Sequence, residues 1–211
     1  MGYRIGLTGD VMLGRLVDDY QRSRPVEAVW GDCLDRLQKL DALGINLECC
    51  LSTRGEPWHR TQRVFHFRAD PEWAVPALVR AGVDWCALAN NHVLDFEAVA
   101  LLDTLENLDA ADIAHAGAGR TRTAAFAPAF VEVTGIDVAV FSITDNTPEY
   151  AATETDPGTA FVEIDVEDES TRVAIRETLG RVERRDPDLV IASLHWGPNM
   201  VEEPPASFRR F

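Results

Sequence analysis

Four short apolar runs in this chain each stop at a side chain able to hold a metal ion or carry a proton. Arg4-Ile-Gly-Leu-Thr8 gives way to Gly9-Asp10, and Asp41-Ala-Leu-Gly-Ile45 to Asn46-Leu47-Glu48. Trp85-Cys-Ala-Leu-Ala89 gives way to Asn90-Asn91-His92, and Leu189-Val-Ile-Ala-Ser-Leu194 to His195-Trp196-Gly197. Each run reads as a buried strand. Strand ends that open into a polar loop ahead of a helix are where α/β folds hold ligands. Taken alone, Ala87–Asp95 is equally well explained as a capping turn with Asp95 as N-cap. Polar residues placed at random would not favour strand ends four times over, so the set points to one functional sheet edge.

The intervening segments fit that class. Helical apolar spacing covers residues 26–40, and Val64–Phe67 alternates like a short strand. Asp70-Pro71 opens a helix that stops at Gly82, with Asp as N-cap and Pro at the first helical position. A further helix is predicted over 95–108, and a brief strand over 113–115. A hairpin is predicted from 130–133 and 136–143, a strand over 161–166 and a charged helix over 167–185. Early strand–helix alternation followed by mixed hairpins predicts an α/β sandwich of layers in a single domain spanning 1–211.

Composition narrows the function classes. No apolar run approaches the roughly 18 residues of a membrane span, and Met1-Gly2-Tyr3-Arg4 has no signal-peptide layout. The expectation is a soluble, cytoplasmic chain with no membrane partner. With 35 acidic against 20 basic residues and a net charge of −15, it lacks the clustered cations that nucleic acid requires. One local exception is Arg54, His59, Arg60, Arg63, His66 and Arg68, either a solvated surface loop or a loop that receives an anionic substrate. Cys33, Cys49, Cys50 and Cys86 show neither CxxC spacing nor a disulfide framework and read as free thiols.

Two carboxylates, an amide and imidazoles at one sheet edge suit a divalent metal of borderline hardness, Mn, Zn or Fe, with no organic cofactor. Asp10 or Glu48 is placed to bridge two ions, Asn91 and His195 serve as neutral ligands, and His92 is left as general acid or base. His59, His66 and His115 read as structural or surface residues.

Gly9-Asp-Val-Met-Leu-Gly-Arg15, Asn46-Leu-Glu48, Ala89-Asn-Asn-His-Val-Leu-Asp95 and His195-Trp-Gly197 resemble, in order and over nearly the whole chain, the CapA-type proteins of capsule and poly-γ-glutamate synthesis. These form a branch of the calcineurin-like metallophosphatase superfamily. The resemblance implies a four-layer αββα fold, with Asp10, Glu48, Asn91 and His195 as ligands and His92 as the proton-transfer residue. Met12 stands where the wider superfamily has a metal-binding His, and the 211 residues contain no GHxH motif, so a C-terminally truncated member is expected. The resemblance further implies a metal-dependent hydrolase whose metal-held hydroxide attacks an anionic phosphoester or an amide-like bond of a small molecule or peptide. Arg15, Arg54, Arg60 and Arg63 would hold the substrate's negative charge. The alternatives are a metal-dependent peptide epimerase in ribosomal-peptide biosynthesis and a non-catalytic binding protein with a degenerate site.

Overall fold

The computed structural model describes residues 2–198 and 200–211. In chain order its strands are β1 (Ile5–Val11), β2 (Ala42–Leu47), β3 (Cys50–Leu51), β4 (Arg68–Ala69), β5 (Trp85–Ala87), β6 (Ala114–Ala116), β7 (Ala118–Gly119), β8 (Ala129–Val133), β9 (Ile136–Thr144), β10 (Gly158–Thr159) and β11 (Leu189–His195). Its α-helices are α1 (Leu16–Gln21), α2 (Leu34–Leu37), α3 (Pro71–Ala81), α4 (Glu97–Ala110), α5 (Arg122–Ala125) and α6 (Glu169–Glu183).

Two sheets carry the architecture. The first has the order β1-β2-β5-β6 with every pairing parallel. The second has the order β11-β9-β8, with β11 parallel to β9 and β8 antiparallel to it. Strand alternation divides their side chains between two faces each. Leu43, Ile45 and Leu47 of β2 join Leu78 of α3 and Leu101, Leu105 and Leu108 of α4 in one apolar cluster. Ala42 and Trp85, on the opposite face, pack against Val133, Val138 and Val140 of the second sheet. Phe141 and Ile143 of β9 face the other way, onto Ala174 of α6. The order is therefore helices, sheet, sheet, helix: an αββα sandwich, as the family resemblance implied.

The same alternation places Ala42, Gly44 and Asn46 on the inter-sheet face of β2. At Gly44 a Cβ would overlap the indole of Trp85, so the strand can pass that ring only with no side chain there. Asn46 follows at the end of the cleft, where the second sheet delivers His195.

Several predicted boundaries move. β1 does not stop at Gly9-Asp10; it runs on to Val11 through a register irregularity between Leu7 and Asp10. Gly9, at φ 73°, absorbs that bulge and re-aims Asp10. The apolar spacing of 26–40 does not make one helix but two 3₁₀ turns, Val26–Val29 and Gly31–Cys33, and the single α-turn of α2. The strand expected over 64–67 is displaced to β4, and that over 161–166 is reduced to one bridge between Phe161 and Thr144. Asp95 is not an N-cap: α4 starts at Glu97 behind Phe96, which makes no capping bond. The last strand, read as buried, is an edge strand with Leu189, Val190 and Leu194 exposed, because only β9 pairs with it. The Asp70-Pro71 opening and Gly82 end of α3 are as predicted, with the Asp70 carboxylate accepting from Glu72 N at 3.0 Å.

Candidate metal centre

The ends of β1, β2, β5 and β11 meet at one edge of the sandwich. Ligand atoms of Asp10, Glu48 and His195 lie within 4.8 Å of one another. His195 Nδ1 is 3.7 Å from Asp10 Oδ1, and Nε2 is 3.9 Å from Glu48 Oε1. Asn91 Oδ1 completes the group at 2.8 Å from His195 Nε2. His92 Nε2 stands 3.8 Å from Glu48 Oε1. The five residues singled out in the sequence, from four separate strand ends, are thus brought to one place.

Charge at this centre is uncompensated. Among the described residues no Lys or Arg is ion-paired with Asp10 or Glu48; their only cationic-type neighbours are the two imidazoles. Burial, and then the Asp10 carboxylate, push Glu48 up from 4.5 to about 7, against a smaller lowering by His92. Burial lowers His195 from its ordinary value, with Asp10 opposing. A carboxylate held at the edge of ionisation beside a second carboxylate and a neutral imidazole is a donor set that a divalent cation fits, because the cation supplies the missing charge.

His92 is built differently. Its Nδ1 lies 2.6 Å from Asp95 Oδ2, and Asp95 is fully buried. That carboxylate also accepts from the Phe67 amide at 2.8 Å and from the Tyr150 hydroxyl at 3.1 Å. Three polar partners satisfy the hydrogen-bonding capacity that burial would otherwise leave unmet. The Phe67 ring stacks on His92 with centroids 3.9 Å apart. The imidazole is therefore held by its Nδ1 edge and one face, with Nε2 directed to the Glu48 side.

Asn46, Asn90 and Asp95 were not assigned site roles in the sequence. Asn46 Nδ2 donates to Asp10 Oδ1 at 2.7 Å, and Asn90 Nδ2 to Asn46 Oδ1 at 3.0 Å. The clue to Asp95 was its spacing three residues after His92; Asn46 and Asn90 lie in the quoted motifs, but no spacing there shows what their amides face.

The arginines divide. Arg54 is committed to Asp103 of α4, with Nε 2.9 Å from Oδ2, and its carbonyl accepts from Arg68 Nη1 at 3.0 Å. It is a staple between the 54–68 loop and α4. Arg15, Arg60 and Arg63 pair with no carboxylate among the described residues; they rest on the rings of Phe65, Trp58 and Tyr150 at 4.6, 4.8 and 4.6 Å. Phe65 stacks on Phe67, and Tyr150 reaches Asp95, so Arg15 and Arg63 are each separated from His92 by two side chains. His59 and His115 face Glu97 and Asp109, and His66 Nε2 lies 2.9 Å from the Trp58 carbonyl. Cys33 is an exposed free thiol and the other three cysteines are buried and free.

A mixed α/β sandwich with this edge defines a metallophosphatase-like α/β protein. The chain belongs to the family described as bacterial capsule synthesis protein PGA_cap, whose model matches residues 4–211. It is 32% identical to a probable polyglutamine synthesis accessory protein of Mycobacterium tuberculosis, over 92% of this chain and 60% of the relative. It is 28% identical to the capsule biosynthesis protein CapA of Bacillus anthracis, over 94% of this chain and 47% of the relative. The chain thus spans about half the length of the curated relatives it matches. No helix among the described residues is long and apolar enough to cross a membrane.

Proposed function

We propose that the chain is a metal-dependent hydrolase acting on an anionic phosphoester or on an amide-like bond of an acidic peptide. The observation that carries this reading is the buried Asp95–His92 pair standing beside the uncompensated carboxylates of Asp10 and Glu48. Asp10, Glu48, Asn91 and His195 are the residues to hold a divalent ion, Mn, Zn or Fe, and such an ion supplies Lewis acidity and lowers the pKa of water. Asp95 keeps the His92 proton on Nδ1, so that Nε2 takes a proton from the reacting group or returns one to the leaving group. Phe67 shields one face of that ring from water. Arg15, Arg60 and Arg63 bind the negative charge of the substrate; Arg54 keeps the loop in place.

Hydrolysis is favoured over peptide epimerisation by the count of proton carriers. Among the described residues, His92 is the one site imidazole backed by a buried carboxylate at hydrogen-bond distance. A single carrier suffices for hydrolysis, whereas inverting an α-carbon by a two-base route requires a second on the opposite face. The decisive experiment loads metal-stripped protein with Mn²⁺ and assays bis-p-nitrophenyl phosphate and an acidic peptide. Turnover that His92→Ala abolishes with metal retained, and that His195→Ala abolishes with metal lost, is the expected result. Deuterium uptake at an α-carbon without cleavage would make the chain an epimerase, and metal binding without either reaction a binding protein.

A further inference from the structure

Hydrogen-bond direction can be followed through the centre without a gap. The amides of His92 and Val93 both donate, at 3.0 Å, to one side-chain atom of Asn90, which must be its oxygen. Asn90 Nδ2 therefore points the other way and donates to Leu47 O at 2.8 Å and Asn46 Oδ1 at 3.0 Å. With its oxygen so engaged, Asn46 turns Nδ2 towards Asp10 Oδ1 at 2.7 Å and His195 Nδ1 at 3.2 Å. An amide nitrogen only donates, so Nδ1 must accept and carries no proton. The proton of the neutral ring is then on Nε2, where Asn91 Oδ1 receives it at 2.8 Å.

From this chain we infer that Asn46 and Asn90 are positioning residues that fix the tautomer of His195, with the proton on Nε2 and the lone pair on Nδ1. Two backbone amides at the start of the 92–95 turn thus decide which nitrogen of a histidine on another sheet keeps its lone pair. Among the described residues no other group makes the choice: Asp10 lies 3.7 Å from Nδ1 and Glu48 3.9 Å from Nε2, both beyond hydrogen-bond distance. The consequence is selective. An ion taken through Nδ1 has only the Asn46 N–H to displace from that lone pair. One taken through Nε2 requires, besides that displacement, the ring proton to cross to Nδ1.

The inference concerns the metal-free chain and holds or fails independently of any catalytic activity. It is tested by long-range ¹H–¹⁵N correlation spectra of the ¹⁵N-labelled, metal-free protein at pH 8. His195 should show a pyridine-type Nδ1 and a pyrrole-type Nε2. Asn90→Asp keeps the acceptor for the His92 and Val93 amides but removes the donor to Asn46, and should draw the two nitrogen shifts together. Asn46→Asp replaces the donor to Nδ1 by an acceptor and should make Nδ1 pyrrole-type. The indole N–H signals of Trp30 and Trp73, anchored on Ala77 O and Asp18 Oδ1, report whether each variant is folded. A pyrrole-type Nδ1 in the unsubstituted chain would overturn the inference without any variant. So would a folded Asn46→Asp protein whose Nδ1 stays pyridine-type.

Discussion

His92 Nδ1 and Asp95 Oδ2 lie 2.6 Å apart within one turn of chain, and Asp95 is wholly removed from water. The carboxylate holds the ring, and the Phe67 amide and Tyr150 hydroxyl hold the carboxylate. This gives the His92 imidazole, the proposed proton carrier, a fixed orientation that does not depend on the residues proposed as ligands. It also means that the dyad can be broken without touching a ligand.

Asp95→Asn should leave metal content unchanged and lower turnover of bis-p-nitrophenyl phosphate by about 10²–10⁴, the usual worth of a positioned proton carrier. Tyr150→Phe removes one of the carboxylate's three donors and should cost about 1.5–3 kcal/mol in urea unfolding, the scale for a hydrogen bond to a charged group. Metal loss in Asp95→Asn, measured by elemental analysis, would place that residue in the ligand set instead.

The raised Glu48 gives the metal-free chain a signed pH dependence. Its carboxyl titrates near 4.5 when unfolded and at about 7 in the fold, so the folded state binds more protons between those values. Stability therefore falls as pH rises through that window, by at most about 3–4 kcal/mol, given about 1.36 kcal/mol per pH unit. Glu48→Gln should flatten this part of the urea-unfolding profile. In the intact chain, Mn²⁺ affinity should climb as pH rises to about 7, because the ion displaces the Glu48 proton. A metal affinity independent of pH between 5 and 7 would exclude Glu48 as a ligand.

Arg63→Ala and Arg54→Ala should part company. Arg63 sits on Tyr150, unpaired with any carboxylate among the described residues, and its loss should raise KM for an anionic substrate about three- to tenfold and weaken the salt dependence of KM. Arg54 is paired with Asp103, and its loss should leave KM alone while loosening the loop to proteolysis. Equal KM in both variants at low and high salt would return the whole segment to a solvated surface.

Two layers of this protein were legible in the order of its residues, and a third was not. Apolar runs ending at Asp10, Glu48, Asn91-His92 and His195 pointed to an α/β sheet with these polar side chains at one edge, because strand alternation and strand-end chemistry are local properties. The α3 helix was equally local, since its Asp-Pro opening and Gly ending act on neighbouring backbone. Where the sequence misled, a distant partner had intervened. Asp95 looked like a helix cap until packing placed Phe67 and Tyr150 against it, and the last strand looked buried because its composition is apolar whether or not a neighbour covers it. The commitment of Arg54 to Asp103, against Arg63 left on a ring, depends on where α4 runs. Asn46 and Asn90 stood inside the quoted motifs without a role for the same reason: an amide has no charge and acquires direction only from the groups the fold sets around it. Residue order therefore determined which side chains reach the edge of the sheet. Only the tertiary structure decided which of them face one another, because hydrogen bonds and buried charges are properties of pairs brought together from distant parts of the chain.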